Sequence, residues 1–306
     1  MSNTETAAVL EKAEHGDAFS QNLAGLMFEL GHGVPQDFSR AAEWFRRASS
    51  QDLVEGQFNL GAMLWEGRGV KRDDGQAVVL FRQAAENAYA PAQSVLGSAY
   101  LEGRGVAPSP PEALRWFRKA ADQGYAEAQY NLALMYQKGE GTKQDCAEAV
   151  KWYSKASWQN HVYSIDNLLG MYQSSSCIKQ DDAEVARLTK QLAELGSSDS
   201  QLNIGSYYAM GKGVPKDEVE AGKWFAAAAE AGQPTGQFML GQWYRDGRGG
   251  INQDYVTAYK WFSLAVAGGS QVDGRNILEG KMTPDQVAAA EKEAAEWTKI
   301  HRPQKH

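Results

Sequence analysis

Gln93-Ser-Val-Leu96-Gly97-Ser-Ala-Tyr100-Leu-Glu-Gly103-Arg104-Gly105-Val106 decides the fold, because close copies of it return every 36 residues. The leading Gln falls at Gln21, Gln57, Gln93, Gln129, Gln201 and Gln237, and Ile165 fills the one missing place. A fixed period of this length marks stacked supersecondary units, none of which can bury its apolar face alone. A chain of 306 residues would ordinarily suggest about two domains, but the unbroken phase leaves no room for a boundary. The expectation is one elongated all-α domain over 1–306. It has a cap helix in 1–16, about seven helix-turn-helix repeats in 17–269 and a closing segment in 270–306.

Within a unit, Ala92, Leu96, Gly97 and Tyr100 share one helix face and predict a first helix over about 92–102. Gly103 and Gly105 end it, since glycine accepts positive φ at a helix C-cap. Paired glycines also occur in phosphate loops, but those need further glycines or a Gly-Lys-Ser/Thr ending, and repetition makes these a turn. Asp37, Asp73, Asp145, Asp181, Asp217 and Asp254 form a column that the third repeat replaces with Ser109-Pro110. Serine substitutes for Asp as a helix cap and not as a metal ligand, so the column is read as N-caps. Ala113, Trp116, Phe117, Ala120 and Ala121 lie on the second helix, where large rings beside small residues predict core packing and not a cofactor box. Ala7 to Gly16 reads as an isolated second helix, and Thr283-Pro284 opens a closing helix through Trp297.

Lys plus Arg number 31 against 38 Asp plus Glu, a net charge of −7, so nucleic acid is not an expected partner. The first residues lack a basic segment followed by an apolar run, and nowhere do 18 apolar residues follow one another. A cytoplasmic chain without membrane insertion is expected, although one with its leader removed would read the same. Cys146 and Cys177 lie 31 residues apart near inter-helix turns, and two free thiols are expected. His15, His32, His161, His301 and His306 show no ligand spacing, and no nucleophile elbow occurs. No enzyme, cofactor or metal is read from these residues.

The run from Ala92 to Val106, the Trp116 to Ala121 segment and the closing Gly124 together resemble the Sel-one-like repeat (SLR) family, a relative of the tetratricopeptide repeats. The resemblance covers nearly the whole chain. It implies a right-handed α-α superhelix used as a protein-binding scaffold, in roles from adaptors and assembly factors to bacterial proteins that neutralise or deliver effectors. A Cys-rich branch of the family, linked to penicillin binding, carries one disulfide per repeat, and this chain has no such pairs.

With the Gln as offset zero, helical periodicity puts offsets +2, +5 and +9 opposite the buried face. Offset +2 holds Asn59, Asn131, Asn167 and Asn203, which could hydrogen-bond an extended peptide or be solvated or bonded between repeats. Leu23, Leu26 and Leu30 lie on the same face of repeat 1, and either pack on the N-terminal cap or anchor a partner. Trp65 and Leu101 stand where other repeats are polar, as does Trp158, and these are further candidates for partner contact or local packing. Repeat 5 is degenerate, with Ser174 to Cys177 in place of the glycine turn and Leu188-Thr189 in place of the aromatic pair. The reading is a monomeric, non-enzymatic adaptor that holds a protein or peptide in its concave groove. The alternative is a bacterial immunity or chaperone protein that wraps a toxic effector.

Overall fold

Residues 3–174, 178–278 and 280–301 are described by a computed structural model, and all their regular structure is helical. The chain forms two compact units, Met1–Ser164 and Ile165–His306. Unit 1 contains α1 (Asn3–Glu14), α2 (Ala18–Leu30), α3 (Phe38–Ser49), α4 (Val54–Glu66), α5 (Asp74–Glu86), α6 (Ala90–Glu102), α7 (Pro110–Asp122), α8 (Ala126–Lys138) and α9 (Cys146–Ser157). Helix α10 (Val162–Ser174), the first of the degenerate repeat, holds the division between the units. Unit 2 continues with α11 (Asp182–Glu194), α12 (Ser198–Met210), α13 (Glu218–Glu230), α14 (Pro234–Asp246), α15 (Tyr255–Ala267), a 3-10 turn (Gly274–Leu278) and α16 (Pro284–His301).

From α2 to α15 the helices pair as seven first and second members. Helix α6 starts at Ala90, earlier than the apolar spacing suggests, because Pro91 suits an N-terminal position where no amide donor is needed. The Asp column caps second helices. Asp37 accepts from the Arg40 amide at 3.0 Å, and Asp145 accepts from the amides of Ala147 and Glu148, both at 3.0 Å. Ser109 departs from this reading: it holds the N-cap position of α7, but its side chain makes no capping bond. Pro110 and Pro111, which follow it, supply no N–H, and the Glu112 amide three residues on is not bonded to it either.

Two glycines show what the repeated phrase is for. Gly97 faces the ring of Phe117, and a Cβ there would lie 2.8 Å from it. Gly105, at φ +68, presses against the backbone of Asp74, the first residue of the preceding second helix, so the turn is also a joint between repeats. Between these joints Trp116, Phe117, Trp152 and Tyr153 are buried among alanines, as the small-large pattern requires.

The leading Gln has a role that periodicity does not reveal. Gln93 is buried and donates its amide to the Ala85 carbonyl at 3.0 Å, while Gln123 donates to Gln93 Oε1 at 2.8 Å. One side chain thereby ties its own helix to the end of the preceding second helix and to the end of its own repeat. Buried amides of this kind stabilise because leaving either end unpaired costs about 1 to 3 kcal/mol.

Cys146 is disulfide-bonded, which corrects the expectation of two free thiols. Spacing along the chain says little about which turns a repeat stack brings within bridging distance. Cys177 lies outside the described residues.

Candidate functional site

In unit 1 the first helices lie side by side, and two contacts fix which offsets meet. Asn59, at offset +2 of α4, donates to Asn22 Oδ1, at offset +1 of α2, at 2.8 Å. Tyr130, at offset +1 of α8, has its ring centroid 6.2 Å from Tyr163, at offset −2 of the next repeat. Offsets −2 and +2 therefore face the preceding first helix, and what they can do depends on what stands there.

The Asn column is not uniform. Asn59 is half-buried and bonded between repeats. Asn131 in unit 1 and Asn167 in unit 2 are half-buried, and Asn203 in unit 2 is exposed. In repeat 1, Leu26 is half-buried and packs with Leu10 of α1 against the core, but Leu23 and Leu30 remain 39% and 58% exposed. Helix α1 thus covers only part of this face. Phe19, at offset −2, is 70% exposed and continues the same face. Sequence reasoning missed it, although its spacing of four from Leu23 places it on that stripe.

Trp65 is taken up by the scaffold. Its ring meets Phe81 edge-on at 5.8 Å, and the Arg104 guanidinium lies 3.5 Å above the ring centroid. Arg104 also donates to the Trp65 carbonyl and, at 3.1 and 2.9 Å, to the two carboxylate oxygens of Asp74. A planar, forked guanidinium serves stacking and bidentate pairing at once. Hydrogen bonds from Arg72 and then Arg104 hold the Asp74 carboxyl well below the usual carboxylate range. Arg248 makes the same carboxylate joint in unit 2, bonding Glu218 at 2.8 Å, but it lies 4.1 Å over Trp243 of its own repeat. Leu101 is half-buried.

At the turn between α9 and α10, Trp158 and Tyr163 are 73% and 67% exposed. His161 sits beside them with both ring nitrogens engaged. Nδ1 lies 2.9 Å from Ser164 Oγ and 3.3 Å from the Ser164 amide, and Nε2 lies 3.0 Å from Glu127 Oε2. Ser, His and acid in this order resemble a nucleophile relay. Ser164, however, is fully buried, and the amide bond to Nδ1 makes His161 the cap of α10. Among the described residues no group of three His, Cys, Asp or Glu is placed to hold a metal ion. None of the described helices is long and apolar enough to cross a membrane.

The Sel1 repeat family model matches residues 18–53, 54–89, 90–125, 126–161, 198–233 and 234–270, and passes over the degenerate fifth unit. The chain is similar to a Sel1 repeat protein from Oxalobacter formigenes at 30% identity, over 89% of this chain and 79% of that one, with a TM-score of 0.62. It is also similar to c5321, a protective antigen of uropathogenic Escherichia coli strains displaying an SLR fold, at 33% identity over 97% of this chain, with a TM-score of 0.62. The chain spans 64% of the length of c5321. Among curated proteins nothing matches it.

Proposed function

Because this chain belongs to the Sel1 repeat family, we propose that it is a non-enzymatic scaffold which binds a protein or peptide partner on the exposed face of its first helices. One observation carries the reading. Offsets that build the core repeat from unit to unit, whereas offset +2, on the side turned to the preceding first helix, does not: it runs Leu23, Asn59, Val95, Asn131 through unit 1. Large apolar side chains that packing leaves exposed, Phe19, Leu30 and Tyr163, stand on these same helices. Exposed aromatic and apolar anchors beside adaptable amides suit recognition of a protein surface.

The test replaces Asn131, Asn167 and Asn203 with Ala together, leaving Asn59 because it bonds Asn22. Partners captured from the native organism on the unmodified chain should be lost on the triple variant while its helical circular dichroism and Tm stay unchanged. Undiminished capture would count against the amides as binding groups. An adaptor and a neutralising protein are separated by the captured partner's activity, which only the latter suppresses.

A further inference from the structure

One arginine recurs in three successive repeats and lacks its partner in the first of them. Arg46 in α3, Arg82 in α5 and Arg118 in α7 stand one period apart. Arg82 donates to the Tyr100 hydroxyl of α6 at 2.8 Å, and Arg118 donates to the Tyr136 hydroxyl of α8. In α4 the corresponding residue is Leu64, which offers no acceptor. Among the described residues the Arg46 guanidinium has no hydrogen-bond or ion-pair partner, and Glu43, one turn earlier, does not pair with it. Arg46 instead lines a cavity of about 520 Å³ together with Leu64 and with Val70, Lys71, Arg72 and Asp73 of the turn into α5.

The other charges of this cavity differ in how far they are engaged. Arg72 is held by Asp74 through bonds of 3.0 and 2.7 Å, and Asp73 accepts from the Gln76 amide at 2.9 Å. Lys71 is exposed and, like Arg46, has no partner among the described residues. Two unengaged cations thus share one cavity with the apolar side chains of Leu64 and Val70. An alkyl stem that ends in a carboxylate matches both halves, because a guanidinium fork pairs a carboxylate bidentately. Asp73 on the same wall disfavours a dianion such as a phosphate monoester. We propose that this cavity receives an acidic side chain of a partner protein, its carboxylate on Arg46 and Lys71 and its stem against Leu64 and Val70. The inference extends the scaffold reading to a second site and fails separately from it, since the triple asparagine variant leaves all of these residues in place.

Fluorescence anisotropy on the full chain tests it with three labelled peptides of Gly and Ser, interrupted at the same positions by Glu, Gln or phosphoserine. The Glu peptide should bind at least about tenfold more tightly than the Gln peptide, more tightly than the phosphoserine peptide, and less tightly as salt rises. The double variant R46Q/K71Q, altered at exposed positions, should keep its circular dichroism and lose at least about tenfold in affinity for the Glu peptide. Leu64→Tyr supplies the hydroxyl that Tyr100 supplies to Arg82 and should lose binding as well; if that variant does not fold, R46Q/K71Q carries the test. Equal binding of the Glu and Gln peptides, or binding unchanged by either folded variant, would overturn the site. Tighter binding of the phosphoserine peptide would overturn the carboxylate. Acetate that displaces the Glu peptide at an equal concentration of carboxylate would assign the cavity to a free small acid and overturn the protein partner.

Discussion

Gln51 donates its side-chain amide to Gln21 Oε1 at 2.7 Å, closing in repeat 1 the same clamp that Gln159 closes on Gln129 at 2.9 Å. The donor lies 30 residues after the acceptor in both cases. Repeat 2 breaks the pattern: Asn87 stands at the donor position and bonds the Gln83 carbonyl in its own helix. Gln57 Oε1 is buried and without a hydrogen-bond partner among the described residues.

Asn87→Gln should therefore stabilise the protein. The longer side chain reaches Gln57 Oε1 as Gln51 reaches Gln21, and a gain of about 1 kcal/mol is expected. A rise in Tm with unchanged circular dichroism is the expected reading, and an unchanged or lower Tm would show that the missing bond costs nothing.

Gly97→Ala and Gly170→Ala should move stability in opposite directions. Alanine is the better helix former by about 1 kcal/mol. At Gly97 its methyl would press on the Phe117 ring, and such overpacking costs about 1 to 3 kcal/mol. Around Gly170 a Cβ meets nothing within 4 Å, so only the propensity gain remains. Thermal melts of the two variants that shift the same way would refute the distinction.

Acid should weaken the joint at Asp74. Its carboxyl is held below its ordinary value by Arg72 and Arg104, so between the two values the unfolded chain binds more protons than the folded one. This contribution is fully present above the unfolded Asp value of about 3.9 and is lost as the pH falls toward the lower folded value. Asp74→Asn removes the titrating group, so its Tm should fall less steeply than the wild-type Tm between about pH 4 and pH 2. Parallel profiles would mean that the pair contributes nothing to acid sensitivity.

Repeat 5 should open before its neighbours. It lacks the Gln clamp, having Ile165 in that place, and it carries Leu188-Thr189 where other units carry an aromatic pair. In repeat arrays stability is a sum of unit and nearest-neighbour terms. Amide exchange should be faster in α10 and α11 than in α6 through α9, and equal protection would refute the expectation.

The parts legible in the sequence are those set within one repeat. Asp37 caps the amide of Arg40, and Gly103 adopts positive φ at the end of its own helix, so neither needs a partner from elsewhere. Ser109 holds the N-cap position read for it, but its side chain makes no capping bond, a detail of side-chain geometry that residue type does not fix. Trp65 stood out as an exposed-offset aromatic, yet Arg104 from the next repeat covers it. Asn59 belonged to a column in the sequence, but Asn22, at a different offset of the preceding repeat, takes up its amide. Phe19 escaped notice because its 70% exposure is set by packing that periodicity does not show.

By itself, the sequence determined the period, the helix ends, the caps and the alternation of large and small core residues. Those depend on interactions within a few turns of the chain, and each is written out again in successive units. Tertiary structure decided which outward side chains remain available, because that depends on contacts some 30 to 40 residues away, such as Arg104 with Trp65 and Asn59 with Asn22. An identical helix position is buried, bonded or open according to what the neighbouring repeat presents to it.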